Sequence, residues 1–248
     1  MTKQKIDLEL ARTCAEMCEL AYEGPEKFKD YLFRRVIMHT EMKFFDNEGA
    51  QAYGLIMPDF VMIIFRGTQP TELSDIVADI KAWQHDSDTV GEVHAGFKGE
   101  LDKIGPNITR WLKKHDKKKL VITGHSLGAA MATLFAARVN KRGGDVVLYT
   151  YGSPRAGDST WAEQFSNIEA YRFVNTNDIV CTVPPFGFYT HIGELYYLSY
   201  KGDIMHGTTW WARFRDKIRG RVRAWSKRQL FSGVYDHMGT KYIKKLKK

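Results

Sequence analysis

The sequence predicts an α/β protein whose central sheet is mostly parallel and flanked by helices. Segments rich in β-branched and aromatic residues alternate with helical segments along 248 residues, and this alternation is typical of parallel sheets. With 44% hydrophobic and 13% aromatic residues, the chain can bury a substantial core. We find no repeat and no linker, and therefore expect a single domain over residues 1–248.

The predicted elements follow one another in a regular order. Apolar residues recur with helical spacing over 6–23. The stretch AYGLIMPDFVMIIFRGT at 52–68 predicts two strands with a turn at Pro58 and Asp59. The remaining predicted elements are helices at 71–83, 94–115 (interrupted at Pro106) and 127–144, and strands at 118–123, 145–152, 169–175 and 194–202.

Composition argues against several classes of protein. The three cysteines form no complete disulfide framework, and we expect Cys14 and Cys18 to be buried on one face of the first helix. No motif for a cofactor or metal ion is found, so neither is predicted. The N-terminus lacks a signal-peptide pattern, and the longest apolar runs are too short to span a bilayer. We therefore expect a soluble protein, cytoplasmic or secreted by a signal-independent route.

The segment VITGHSLG at 121–128 places Ser126 between a predicted strand and a predicted helix. One interpretation is a helix cap, since serine hydroxyls accept hydrogen bonds from free amides at a helix start. The flanking Gly124 and Gly128 instead allow an abrupt turn from strand to helix, which raises a nucleophilic serine above the sheet edge beside the Leu127 N–H. We favour the nucleophile because a cap alone would not require both glycines.

A serine nucleophile needs a histidine base and a carboxylate that orients the base. Asp178 is a candidate carboxylate because it lies just past a predicted strand end, where catalytic loops gather, although an ordinary Asn-rich turn is the alternative. If the order along the chain is serine, acid, histidine, the candidate bases are His191, His206 and His237.

Several short motifs resemble the class 3 lipase family, which includes fungal triacylglycerol lipases. They are FRGT at 65–68, HAGF at 94–97, GHSLGAA at 124–130, YGSPRAGD at 151–158, RFVNTNDIV followed by VPP at 172–185, and DHMGTKY at 236–242. The resemblance implies an α/β-hydrolase fold and a catalytic triad of Ser126, Asp178 and His237. His191 matches a segment that is usually structural and remains the main rival base, whereas His206 has no matching segment.

The resemblance also implies an oxyanion hole formed by the Thr68 backbone N–H and hydroxyl and by the Leu127 N–H. Such donors stabilise the negative charge that builds on a carbonyl oxygen during acyl transfer. A threonine in a strand-ending turn is the alternative for Thr68. The family's helical lid falls between FRGT and HAGF. In that stretch one apolar helix face is predicted from Leu73, Ile76, Val77 and Ile80, and it suits either a lid or an ordinary core-facing helix.

The C-terminal fifth of the chain is strongly basic. Residues 201–248 contain 14 Lys and Arg against 3 Asp and Glu, whereas the first 200 residues contain 23 against 26. Within 206–231, helical spacing aligns an apolar stripe of Trp211, Phe214, Ile218, Val222 and Trp225 among arginines and lysines. This pattern favours peripheral contact with an anionic membrane or lipid interface. A helix packed on the core with a solvated basic face is the alternative, and no nucleic-acid motif accompanies the charge.

Together these features predict a serine carboxylic-ester hydrolase, a lipase that cleaves acylglycerol esters through an acyl-enzyme intermediate. A phospholipase A1-like enzyme or a general esterase would use the same triad. A non-catalytic lipid-binding relative is the alternative outside enzymes. The complete set of Ser126, Asp178 and His237 together with FRGT argues against that alternative.

Overall fold

The structure is a computed structural model that describes residues 6–35, 40–68, 84–115, 118–226 and 232–247. The strands are β1 (Glu41–Asn47), β2 (Ala50–Ile56), β3 (Phe60–Phe65), β4 (Gln84–Asp86), β5 (Glu92–His94), β6 (Lys119–His125), β7 (Val146–Tyr151), β8 (Glu169–Asn175), β9 (Glu194–Leu198) and β10 (Ile204–His206). The helices are α1 (Leu8–Leu20), α2 (Pro25–Arg34), α3 (Ala95–Leu112), α4 (Leu127–Lys141), α5 (Ser159–Glu163), α6 (Trp210–Ser226), α7 (Ser232–His237) and α8 (Gly239–Leu246).

The central sheet has eight strands in the order β1-β2-β3-β6-β7-β8-β9-β10. The five strands from β3 to β9 in this order run parallel to one another, and β1, β2 and β10 add antiparallel edges. All six residues of β7 are buried, as expected for a strand covered by helices on both faces. The predicted mostly parallel sheet is therefore confirmed.

Alternate residues of the buried strands feed two hydrophobic cores. On one face, Ile63 and Phe65 of β3 pack with α3 and α4. On the other, Met62 and Ile64 pack with α1, α2 and α8. Side chains alternate between the faces because successive residues of a strand point in opposite directions, so one short apolar strand supplies both cores.

The first helix places its two cysteines inside the second core, as predicted. Cys14 and Cys18 are fully buried, and the Cys18 Sγ lies 3.2 Å from the Thr123 Oγ1 on β6. Burial raises the pKa of the Cys18 thiol to about 12, so the thiol is neutral at physiological pH. Both cysteines act as small apolar residues that join α1 to the sheet.

One helix differs from the sequence prediction in its course, and another predicted helix is not tested. Helix α3 continues through Pro106, where an interruption was expected. Proline removes one backbone hydrogen bond, but Ile104 and Ile108 on either side are fully buried, and their packing holds the helix together. The helix predicted at 71–83 lies outside the described residues.

Strands β1 and β10, at the two edges of the sheet, were not predicted. Along β1, exposed residues interrupt the apolar pattern. Strand β10 has only three residues, too few to show a pattern. In the described part of the chain, no helix combines the length and the apolar character needed to cross a bilayer.

We predict that the core around α4 dominates stability. Phe135, buried to 1% exposure beside Phe65, should cost about 3–5 kcal/mol of unfolding free energy when replaced by alanine. The matched control is Phe33→Ala on α2, where the ring is 82% exposed and the loss should stay below about 0.5 kcal/mol. Urea unfolding measures both values, and equal losses would contradict the assigned core.

Candidate active site

Ser126 lies on a strained turn between β6 and α4. Its backbone has φ 59° and ψ −130°, a conformation rarely adopted by residues other than glycine and costly unless its surroundings impose it. A side chain on Gly124 would clash with the Gly128 backbone, and a side chain on Gly128 would clash with the end of β3. The two glycines are thus required by close packing of strand, helix and neighbouring strand.

The helix-cap interpretation of Ser126 does not fit this geometry. Capping serines have extended backbone angles, whereas the φ of Ser126 is positive, and its side chain makes no capping hydrogen bond to α4. The Ser126 carbonyl accepts from the amides of Ala129 and Ala130 at 2.9 and 3.3 Å. The backbone of Ser126 therefore starts the helix, and its hydroxyl does not cap it.

Asp178 and His237 form a buried hydrogen-bonded pair. The His237 Nδ1 lies 3.0 Å from the Asp178 Oδ1 and 2.9 Å from the Oδ2. Both side chains are fully buried. The same carboxylate accepts hydrogen bonds from the Tyr242 hydroxyl and, at 2.9 Å, from the Val180 amide. The Asp178 carboxylate that accepts from the imidazole is thus held in place by two further donors.

The electrostatics of this pair favour an ionised carboxylate. Burial by itself raises the pKa of Asp178, but the charge of His237 and the hydrogen bonds from His237 and Tyr242 outweigh burial and bring the pKa below its usual range. An ionised carboxylate only accepts hydrogen bonds, so His237 donates its Nδ1–H. The opposite nitrogen, Nε2, is buried and has no hydrogen-bond partner among the described residues. In the neutral ring this nitrogen can accept a proton.

The residue before the serine, His125, packs directly against His237. The ring of His125 stacks on the His237 ring with centroids 4.5 Å apart, and its Nε2–H donates to the His237 carbonyl at 2.7 Å. The other nitrogen of His125 accepts from the Tyr22 hydroxyl at 3.0 Å. Burial and the charge of His237 lower the pKa of His125 to about 3, so His125 remains neutral and acts as a spacer.

Gly152, at the end of β7, completes the close packing around the pair. A Cβ placed on this residue would lie 2.7 Å from the His237 Cε1 and 2.9 Å from the Asp178 Oδ2. The Gly152 φ of 60° is also a left-handed conformation that favours glycine. Only a residue without a side chain allows β7 to pass beneath both groups.

The FRGT segment runs directly against the serine turn. Phe65 pairs with Gly124 in the parallel register of β3 and β6. A Cβ on Gly67 would lie 2.6 Å from the His125 carbonyl and 3.3 Å from the Ser126 Cβ. Thr68, which follows Gly67, is therefore near the serine, and Leu127 begins α4, where the first amides have no partner within the helix.

The structure separates the rival histidines from Asp178. The Nε2–H of His191 donates to the Cys181 carbonyl at 3.1 Å. His206 stacks on Tyr196 at the edge of the sheet, with its Nε2 3.1 Å from Glu194. Both rings therefore have structural partners, and Asp178 is paired with His237. The predicted lid residues Leu73, Ile76, Val77 and Ile80 lie outside the described residues.

Two residues that support the pair were not predicted from the sequence. Tyr242 is fully buried and donates to Asp178 across 64 positions of sequence, and His125 contacts His237 across 112 positions. Both lie inside motifs noted in the sequence, GHSLGAA and DHMGTKY. Their presence in these motifs was a signal, but their partners depend on long-range packing that local spacing does not reveal.

The basic amphipathic segment forms α6, which presents its apolar stripe to solvent. Trp211 is 65% exposed and Trp225 74% exposed, and the residues between them in the stripe are also exposed. The helix packs on the body through its polar side, where Asp216 accepts hydrogen bonds from the Tyr197 hydroxyl at 2.9 Å and the Tyr200 amide at 3.0 Å. The alternative in which the stripe packs on the core is therefore wrong.

Comparison with known proteins identifies the family. The family model "Lipase (class 3)" matches residues 62–188, slightly more than half of the chain. A secreted mono- and diacylglycerol lipase of Fusarium solani is 39% identical over 115 residues, covering 43% of this chain and 34% of that protein. A lipase of Rhizomucor miehei is 32% identical over 153 residues, covering 56% of this chain and 42% of that protein.

The fold comparison agrees with the sequence comparison. The solved triacylglyceride lipase of Rhizomucor miehei superposes with a TM-score of 0.66 at 22% identity, covering 78% of this chain and 82% of that structure. Against the two sequence relatives, the matched region spans less than half of each relative's length. The predicted α/β-hydrolase fold is confirmed, and the chain belongs to the class 3 lipase family.

Proposed function

We propose that this protein is a serine carboxylic-ester hydrolase, a lipase that cleaves acylglycerol esters. The observation that carries the proposal is the buried Asp178–His237 pair, whose imidazole presents an unpartnered Nε2, next to the strained turn of Ser126. A base, its orienting carboxylate and an activated alcohol are the groups that acyl transfer requires. The named relatives, a mono- and diacylglycerol lipase and a triacylglyceride lipase, support acylglycerols as the substrate class.

The reaction proceeds in two stages, acylation of Ser126 and deacylation, with two proton transfers in each stage. His237 Nε2 takes the proton of the Ser126 hydroxyl while the oxygen attacks the ester carbonyl carbon. The proton then passes to the departing alcohol oxygen, and the acyl group stays on Ser126. A water molecule gives a proton to His237 and attacks the acyl carbon, which releases the fatty acid and returns the proton to Ser126. Asp178 holds the reactive tautomer of the imidazole and stabilises its charged form throughout.

Thr68 and Leu127 are the proposed donors to the developing oxyanion. The Leu127 amide is at the N-terminus of α4, where the helix dipole also favours negative charge. Thr68 follows the end of β3, and its neighbour Gly67 packs against Ser126. Two donors of this kind, fixed before the reaction, typically contribute several kcal/mol to stabilising the tetrahedral intermediate.

We further propose that α6 docks on an anionic lipid surface. A helix that exposes Trp, Phe, Ile and Val side chains in one stripe, flanked by arginines, matches helices that lie in the headgroup region of a membrane. The opposite side of the helix already packs on the protein body. Asp216 accepts a hydrogen bond there, and a Cβ on Gly220 would lie 2.9 Å from the Thr176 Cγ2. Docking would bring the enzyme to its insoluble substrate.

Replacing the nucleophile tests the hydrolase proposal. We expect Ser126→Ala to lower the turnover of a p-nitrophenyl ester by about 10⁴-fold or more, because no alcohol remains to form the acyl-enzyme. Labelling with a fluorophosphonate probe should disappear in the same variant. Ser166→Ala, which removes an exposed serine hydroxyl, is the control and should keep both properties. Near-normal turnover in a folded Ser126→Ala protein would refute the assignment.

The carboxylate gives a prediction for pH-dependent stability. The folded-state pKa of Asp178 is lowered, so its contribution to stability is present above the unfolded value, about 3.9, and is lost as pH falls through the folded value. Asp178→Asn should remove this contribution. The difference in unfolding free energy between wild type and variant should therefore shrink as pH falls below about 4. A difference that grows towards acid pH would show that the sign is wrong.

The docking proposal is tested on vesicles. We expect the double variant Trp211→Ala/Trp225→Ala to bind vesicles containing phosphatidylglycerol about 10-fold or more weakly, because each exposed indole loses its place among the headgroups. Thermal stability should hardly change, since both rings are exposed. Phe33→Ala removes a ring that is even more exposed from α2 and serves as control. Unchanged co-sedimentation of the double variant would exclude docking through α6.

A further inference from the structure

A polar cavity of about 280 Å³ lies between α6, α8 and the end of β8. Among the described residues, five cationic side chains line it, and the only carboxylate they leave in its lining belongs to Asp236. That carboxylate accepts a hydrogen bond from the Asn177 amide at 3.2 Å. The cationic residues are Lys201, Arg223, Lys241, Lys244 and Lys245. A concave surface with such an excess of positive charge concentrates the electrostatic potential and attracts anions.

Two of these cations are held in position by neighbouring groups. The Lys245 ammonium donates to the Asn175 Oδ1 and, at 2.7 Å, to the Thr176 Oγ1. The Lys241 ammonium lies 3.8 Å from the centroid of the Tyr235 ring. Side chains fixed in this way lose less conformational entropy when they bind a ligand. The cavity thus has the preorganised character of a binding site.

The chemistry of the lining matches phosphate. Lysines bind phosphate as point charges, and a phosphate monoester carries close to two negative charges with three strong acceptor oxygens. The Tyr235 hydroxyl lines the same cavity and adds a polar contact. The Thr176 hydroxyl is buried and donates to the Leu198 carbonyl at 3.0 Å, so it supports Lys245 rather than a ligand. A carboxylate, with one charge and two oxygens, would match fewer of these groups.

The position of the cavity indicates where the phosphate comes from. Gly220, Arg223 and Ala224 on α6 form one wall, and the exposed apolar stripe lies on the opposite side of the same helix. A helix is roughly 10 Å in diameter, so a ligand anchored in a docked membrane must reach about that distance above the surface. A phosphorylated polyol headgroup extends further from the bilayer than a simple glycerophosphate.

We propose that this cavity is a binding site for the phosphorylated polyol headgroup of an anionic lipid. The lipid origin of the ligand rests on the docking of α6 proposed above, whereas the preference for phosphate rests on the cavity itself. Such a site would add recognition of a particular lipid to the general attraction of the basic C-terminal segment.

The test compares two kinds of vesicle. Phosphatidylcholine vesicles contain either phosphatidylinositol 4-phosphate or enough phosphatidylglycerol to match the total surface charge. All proteins carry Ser126→Ala, so binding is measured without hydrolysis. We expect tighter binding to the phosphoinositide vesicles than to the phosphatidylglycerol vesicles. In Lys201→Gln/Lys244→Gln, the ratio of these two affinities should fall about tenfold. Lys245 is left intact because it holds Asn175 and Thr176.

The control variant Lys29→Gln/Lys43→Gln removes the same charge from exposed sites on α2 and β1 and should keep the preference. Measurable but equal binding of the parent protein to both vesicles would overturn the proposal, as would an equal loss in the control variant. Calorimetry with soluble inositol hexakisphosphate tests whether the ligand comes from a lipid. If the protein bound this soluble compound but showed no preference between the vesicles, the lipid origin of the ligand would be overturned. Failure of α6 docking would instead abolish binding to both vesicle types, and failure of the hydrolase proposal would leave these results unaffected.

Discussion

The hydrogen-bonded pair of Asp178 and His237 is the interaction on which the rest of the site depends. A fully buried carboxylate is costly unless its charge is balanced and its oxygens are hydrogen-bonded. Here the imidazole, the Tyr242 hydroxyl and the Val180 amide supply that compensation. Because His237 and Tyr242 both come from the C-terminal helices α7 and α8, these helices are held against β8 by the same contacts that orient the base.

The parallel sheet explains how distant parts of the chain meet at this pair. Strands β6, β7 and β8 are neighbours, and the carboxyl ends of parallel strands share one edge of a sheet. Ser126 follows β6, Gly152 follows β7 and Asp178 lies just after β8. The strained backbone of Ser126 is fixed because β3, β6 and α4 pack too closely for any other path. The geometry of the site is therefore a consequence of strand order.

Local features of the site and fold could be predicted from the sequence, and long-range ones could not. The serine turn and the buried central strands were predictable because glycine spacing and β-branched runs act locally. The course of α3 through Pro106 was not, because burial of Ile104 and Ile108 on the sheet outweighs the lost hydrogen bond. The partnership of Tyr242 with Asp178 depends on the placement of α8, which no spacing in the sequence encodes.

The orientation of α6 is another feature that could not be predicted from the sequence. Helical spacing correctly aligned its apolar residues, but a stripe alone does not tell whether a helix turns it inward or outward. The orientation is set by the other face of the helix. There Asp216 accepts hydrogen bonds from Tyr197 and Tyr200, and Gly220 lets the helix approach Thr176 closely. Packing on that polar face leaves the tryptophans in solvent, at a cost in free energy that burial in a lipid surface would remove. Since the wall of the cationic cavity belongs to the same helix, we infer that α6 combines apolar insertion with recognition of the headgroup.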